Sequence, residues 1–339
     1  MIREWNLLRA VACLSIVFLH STTFAGPTNY QHMDLFRALL CYATPAFIVL
    51  SEIILANRYP DKLPDNFWTK RFKWIYLPFL SFAVIDALVG KHFYPNLDVS
   101  QKIFENAVFG LFGGYFVLII FQFYFLHYLV VRFKISMKVL VPLSIVIMYT
   151  HLYFLHGDLP FVQEYRRYLI IPFTAWFAYF TVAFVIGKHY QTIAPMLKKY
   201  RWYTFIPLLV SIAFVSNNFQ DGLTIVNSRR MDLFPVVLSV SLFILAWGQL
   251  VPKFRFINVI SNYSFGIYLV HWQVMKFLAP HTTFLDNKMV QIFVLFAGSL
   301  IICISFIKLF SLIPAGSYVI GNVKRGRKTV VKRQVAESI

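Results

Sequence analysis

The chain is poor in charge. Only 14% of its 339 residues are Asp, Glu, Lys or Arg, against roughly 25% in a soluble domain. With 59% of residues hydrophobic, it holds more apolar surface than it could hide from water. Acidic residues are the scarcer kind, 14 against 32 Lys and Arg. Long polar segments are missing too. The widest break between apolar stretches, Arg58 to Lys73, is too short to fold around a core of its own, which excludes an inserted soluble domain and leaves any activity to the membrane part. Cysteine is nearly absent: Cys13, Cys41 and Cys303 are odd in number and fall inside apolar stretches, where a small buried hydrophobe is the ordinary role. Neither a disulfide nor a metal site is expected. Internal repeats are lacking, and so is the period-2 polar alternation of a barrel wall.

What is present is a series of apolar stretches about 20 residues long, the length at which a helix crosses a hydrocarbon core of about 30 Å. They lie near residues 7–25, 35–56, 74–90, 108–131, 138–155, 169–187, 203–219, 233–251, 258–280 and 290–313. The expectation is an all-α, polytopic membrane helix bundle of about ten transmembrane helices, with a membrane domain over 1–320 and a basic tail over 321–339. The first stretch follows Arg3 and ends near Ala25 and Gly26 as a signal peptide would. Its length, its Arg9 and His20, and the nine spans after it argue against cleavage. The segments before span 1 and after spans 2, 4, 6, 8 and 10 hold 21 Lys and Arg, and the opposite segments hold 7. The positive-inside rule then puts both termini in the cytoplasm. The net charge of +18 reads as basic loops against anionic lipid headgroups, densest in the KRGRK of the tail, rather than as nucleic-acid binding.

Ionisable groups within spans are costly to hold in a bilayer and mark functional sites by default. In span 1, Arg9 and His20 stand eleven residues apart, about three turns, so they share one face and lie ~16 Å apart along the axis. A snorkelling Arg and a hydrogen-bonded structural His fit that spacing as well. In span 9, Ser264, Tyr268 and His271 follow at i+4 and i+3 and share a face, and His271 lies about as deep as His20. Lys70, Arg71 and Lys73 open span 3 on the same side as Arg9. They form either a headgroup anchor or, with Arg9, a phosphate site, with Glu52 and Glu4 as candidate counter-ions. Asp86 reads as a lone carboxylate within a span. Gln122, Tyr115, Tyr124 and His127 read as structural hydrogen-bonders, and Arg166, Arg167, Arg229 and Arg230 as loop cations that meet a glycan or headgroups.

Taken in order, these segments resemble acyltransferase family 3, bacterial membrane proteins that transfer acyl groups from acyl-coenzyme A to sugars. The Arg and His of span 1 match, and further matches are ATPAFIVLS at 43–51, KRFKWIYLP at 70–78 and SNYSFGIYLVH at 261–271. GLFGGYFVLIIFQFYFL at 110–126 and IYLVH at 267–271 resemble the intercellular adhesion protein C group of exopolysaccharide loci. Asn6 stands where the family usually has Asp three residues before the Arg, and Glu52 follows Ser51 where it usually has Gly.

The resemblance implies an enzyme of the bacterial cell membrane that moves a short acyl group, acetyl or succinyl, from acyl-coenzyme A to a hydroxyl of a cell-surface polysaccharide or its sugar precursor. His20 would be the general base, because an imidazole titrates near working pH. Arg9, Lys70, Arg71 and Lys73 would hold the coenzyme phosphates, and Tyr268 and His271 would orient the acceptor or stabilise the oxyanion. No metal is implied. Other exopolysaccharide biosynthesis proteins and membrane lipids would be partners. An exporter of an exopolysaccharide or lipid-linked sugar is the rival reading, although the paired broken helices common in transporters are absent from the sequence. A purely structural subunit would leave Arg9 and His20 without a role.

Overall fold

A computed structural model of the chain describes residues 2–30 and 32–322. The KRGRK tail lies outside the described residues. All regular structure among them is helical. Helix α1 (Arg3–Ala25) is followed by α2 (Met33–Leu40) and α3 (Ala43–Arg58), which make one long apolar segment, then by α4 (Phe67–Arg71), a π-turn at Phe72–Tyr76, and α5 (Leu77–Phe93). Next come α6 (Val99–Phe109), α7 (Tyr115–Phe133), α8 (Met137–His156), α9 (Pro160–Leu169), α10 (Phe177–Lys188), α11 (Tyr190–Lys199) and α12 (Phe205–Gln220). The last four are α13 (Leu233–Trp247), α14 (Arg255–Leu278), α15 (Lys288–Leu312) and α16 (Ser317–Ile320).

Local chemistry sets several of these boundaries. The Asp98 carboxylate accepts the Gln101 amide at 3.0 Å and starts α6, and Asn287 accepts the amides of Met289 and Val290 to start α15, both satisfying donors that a helix start leaves unpaired. Pro160 opens α9, where its missing N–H costs nothing. Between α9 and α10 the chain bends by 74°. Gln122 of α7 occupies that break, donating to the Ile171 carbonyl at 2.9 Å and accepting the Phe173 amide at 2.8 Å.

Seven helical segments are long and apolar enough to cross a membrane: Arg3–Ala25, Met33–Arg58, Phe67–Phe93, Tyr115–Phe133, Met137–His156, Arg201–Gln220 and Lys288–Leu312. The bent pair α9 and α10 makes an eighth if it is one span. The other two apolar stretches of the sequence are helices of different character. Helix α13 has 15 residues, and α14 has 24 but carries Asn258, Ser261, Asn262, Ser264, Gln273 and Lys276 along with its apolar face. That polarity is tolerated because α14 packs between α1 and α15 and not against lipid alone.

Helix α1 is the hub of the bundle, in contact with α3, α13, α14 and α15. Its Leu8, Ala12 and Ile16 join the larger core with α3, α7, α8, α10 and α13, while Ala10, Cys13 and Val17 join a second core with α5, α14 and α15. With lipid outside, helices are held by close packing and by polar side chains between them. Ser144 and Thr181 meet at 2.6 Å between α8 and α10, Ser211 and Ser239 at 2.7 Å between α12 and α13, and His127 and Glu52 at 2.7 Å between α7 and α3. The bundle therefore presents two ends, one carrying Arg9, Arg58 and Lys70 and the other carrying His20 and Lys276.

Candidate active site

Two chambers enter the bundle, one lined by each of those groups. The first, about 650 Å³, is lined by Arg9 of α1, Arg58 at the end of α3, Lys70 and Arg71 of α4, and Ser261, Asn262 and Ser264 of α14, with Tyr59, Phe67, Trp74 and Tyr124 as aromatic wall. Among the described residues it has four cations and no carboxylate in its lining. The Arg71 guanidinium sits 4.8 Å from the Phe67 ring and 5.0 Å from the Tyr124 ring, a cation–π seat that holds its charge without neutralising it. Arg9 donates from Nη1 to Ser261 Oγ at 3.4 Å, and Ser261 donates to Asn6 Oδ1 at 3.2 Å. Because residue 6 is Asn and not Asp, Arg9 has the Ser261 hydroxyl as a hydrogen-bond partner and no paired carboxylate among the described residues.

The expected counter-ions are engaged elsewhere. Glu52 is buried against His127 at 2.7 Å, with the other His127 nitrogen 3.0 Å from the Tyr59 carbonyl. Glu4 accepts from the Tyr190 hydroxyl at 2.9 Å. Lys73 also departs from expectation, since it does not line the chamber. Residues two apart on a helix do not share a face. With Arg71 turned inward, Lys73 lies against the wall residue Trp74 and against Tyr318, its Nζ 4.9 Å from the Trp74 ring and 5.1 Å from the Tyr318 ring.

The second chamber, about 740 Å³, opens at the other end and is lined by His20, Asp86, Tyr94, Lys102, Glu105, Tyr115, Arg229, His271, Trp272 and Lys276 among others. His20 and His271 converge as the shared depth of spans 1 and 9 suggests: their ring centroids are 5.2 Å apart, and Trp272 stands edge-on to His20 at 4.9 Å. Asp86 is not a lone carboxylate. Lys276 lies 3.1 Å from it, and Gln273 and Asn106 each donate to it at 2.9 Å.

Ile16, Thr44 and Tyr268 line both chambers, so these three side chains form the septum between them. Along α14 the shared face of Ser264, Tyr268 and His271 runs from the first chamber through the septum to the second. Along α1 Arg9, Ile16 and His20 do the same. The Tyr268 hydroxyl donates to the carbonyl of Gly113, a residue held at φ 88°, and the Tyr268 ring rests 5.3 Å from Phe116.

Sequence reasoning missed Arg58, which passes for one more topological charge at a helix end, and the distinct fates of Arg229 and Arg230. Arg229 faces the second chamber. Arg230 is fully buried, bonded at 2.9 and 2.6 Å to both oxygens of Asp232 and to the Leu223 and Ile225 carbonyls. Nothing in a two-residue basic pair says which member turns inward. Arg167 lies 3.7 Å from Glu105, which lines the second chamber.

A sequence model of the family acyltransferase domain matches residues 2–308. The chain belongs to acyltransferase family 3. It is 35% identical over 293 residues to the "Putative membrane-bound acyltransferase YfiQ" of Bacillus subtilis, covering 80% of each chain. It is 25% identical over 313 residues to the "Probable poly-beta-1,6-N-acetyl-D-glucosamine export protein" of Staphylococcus aureus, covering 85% of this chain and 86% of that one. It is 27% identical over 319 residues to the protein of the same name in Staphylococcus epidermidis, covering 89% of both. No solved structure matches. The family membership and the helices together describe a multi-pass membrane acyltransferase whose polar interior is the pair of chambers.

Proposed function

We propose that the protein is an O-acyltransferase that takes a short acyl group from acyl-coenzyme A bound in the first chamber and delivers it to a hydroxyl of a cell-surface polysaccharide, or its sugar precursor, in the second. The observation that carries this reading is the contrast between the chambers across one septum. Four cations without a carboxylate suit a polyphosphate donor, with Arg as the planar fork that matches phosphate oxygens. The mixed charges and aromatic rings around His20 suit a neutral, hydroxyl-rich acceptor.

On this reading Arg9, Arg58, Lys70 and Arg71 anchor the phosphates, and the thioester end of the donor reaches the septum at Ile16, Thr44 and Tyr268. His20 removes the proton of the acceptor hydroxyl as its oxygen attacks the thioester carbonyl carbon. The carbon–sulfur bond then breaks, and the coenzyme sulfur leaves with the electron pair and takes up a proton. The membrane is the bacterial cell membrane, with the first chamber facing the cytoplasm, the side on which acyl-coenzyme A is made.

The test is a surface-glycan acylation assay in a deletion strain complemented with wild type or His20→Ala at matched membrane levels. Loss of a general base typically lowers the rate by ~10² to 10⁴, so the variant should leave the glycan unacylated. The name of the staphylococcal relatives favours a second reading, export of the glycan itself. In that case acylation continues in the His20→Ala strain, and the defect appears as glycan retained inside the cell.

A further inference from the structure

The two imidazoles of the second chamber are not equivalent. His271 Nδ1 lies 2.9 Å from the Ile267 carbonyl one turn earlier on α14. A carbonyl can only accept, so that nitrogen carries the hydrogen, and in the neutral ring Nε2 is then a bare lone pair. This Nε2 is buried and meets no hydrogen-bond partner. His20 makes no such bond to its own preceding turn: its Nδ1 is also buried and unpartnered. The ring as a whole nevertheless lines the chamber, which leaves Nε2 as the His20 nitrogen that the chamber reaches. An orphaned buried acceptor on one ring and an orphaned buried nitrogen on the other, with centroids 5.2 Å apart, are complementary. The cost of leaving both unmade is high for buried polar atoms.

We infer that His271 is a positioning residue for His20: the two nitrogens are not bonded to each other in this structure, and a turn of the neighbouring rings lets His271 Nε2 accept the Nδ1–H of His20, which fixes His20 in the tautomer whose Nε2 lone pair faces the acceptor. The logic is that of any base oriented by a third group, with an imidazole as the orienter, and its own tautomer is fixed in turn by the Ile267 carbonyl. The same geometry removes His271 and Tyr268 as oxyanion donors, because the single N–H of His271 is committed to Ile267 and the Tyr268 hydroxyl to Gly113. Trp272 packs edge-on against the His20 ring at 4.9 Å.

This inference rests on the reading of His20 as the base, and its decisive test does not. The full-length protein, labelled with ¹⁵N-histidine and reconstituted in lipid bilayers, is examined by solid-state NMR, with the His20 signals identified by their loss in His20→Gln. The expected wild-type spectrum shows His20 protonated at Nδ1 and bare at Nε2. In His271→Leu that preference is lost, while in His271→Gln, whose side-chain oxygen can accept, it is kept. A His20 ring protonated at Nε2 in the wild type, or one whose tautomer is the same in His271→Leu, overturns the proposal. Should the Leu variant fail to reach the membrane, the wild-type and His271→Gln spectra decide, since loss of the Nδ1–H form in either also overturns it. In the acylation assay His271→Leu should lower kcat at least tenfold without raising KM for the donor, and His271→Gln should recover a measurable part. A fixed tautomer together with unimpaired acylation in His20→Ala would spare this inference and sink the general-base reading instead.

Discussion

At the scale of single residues, the first chamber divides its cations by what already surrounds each one. Arg71 rests on the faces of two aromatic rings, and Arg9 bonds to the hydroxyl of Ser261 and to no carboxylate among the described residues, so both keep an unspent charge that an anion can neutralise. Lys73, one helical step out of register, covers Trp74 and Tyr318 instead. Photo-crosslinking with an acyl-coenzyme A analogue should therefore fall at least tenfold in Arg71→Ala and in Arg9→Ala, and stay within about twofold of wild type in Lys73→Ala. Arg9→Lys should also label weakly, because a point charge cannot reproduce a bidentate fork. Labelling that responds to Lys73 and not to Arg71 would reverse the assignment. The sequence names Lys70, Arg71 and Lys73 as one cluster. Only the helical phase separates them, and a run of three cations in four residues hides that phase.

At the scale of elements, the septum depends on how closely α3 is drawn against its neighbours, because α3 carries Thr44 at its start and Arg58 at its end. Helices α3 and α10 approach until a Cβ placed on Gly187 would lie 2.5 Å from the Ile53 carbonyl oxygen and 2.8 Å from the Ala56 Cβ. Backbone atoms cannot yield as a flexible side chain can. Gly187→Ala should destabilise the bundle by about 1–3 kcal/mol, the usual cost of overpacking, and Gly187→Val by more, read as a lower temperature of aggregation for the detergent-purified protein. An unchanged transition in both would mean that the two helices pack less closely than described. The elements themselves were largely legible, since every apolar stretch of the sequence is mainly helical, with interruptions such as the turns at 110–114 and 170–172. Two features were not. The break between α9 and α10 is closed from outside by Gln122, 49 residues from Ile171, and no local signal announces such a bond. Helix α14, like α1, faces both chambers, so its polarity reflects partners on α1 and α5 and not its own length.

For the whole molecule, the arrangement has value only if the two chambers open on opposite faces of the membrane. The proposed orientation, with the end bearing Arg9, Arg58 and Lys70 in the cytoplasm, is the one that the Lys and Arg bias of 21 to 7 favours under the positive-inside rule, and the one in which the proposed donor would be met inside and the proposed glycan acceptor outside. Ser51 lines the first chamber and Ser228 the second, and Cys13 and Cys303 are buried while Cys41 lines the second chamber, so in a Cys41→Ser background a single introduced thiol can report on each face. A membrane-impermeant maleimide added to intact cells should modify Ser228→Cys and leave Ser51→Cys untouched, and inverted vesicles should give the opposite pattern. Acyl-coenzyme A supplied to the vesicles should then slow modification of Ser51→Cys severalfold, because the donor fills the chamber, and should do so far less when Arg71→Ala is combined with it. Cytoplasmic reporters at Lys62, Lys134 and Lys199 and external ones at Asp98 and Asn287 would trace the same topology independently. If both thiols react from one face, the septum separates two parts of a single cavity, and a transfer that crosses the membrane is no longer supported. If they react from opposite faces but donor gives no protection, the two-sided path stands while its occupant is something other than the coenzyme, which is the outcome an exporter would produce.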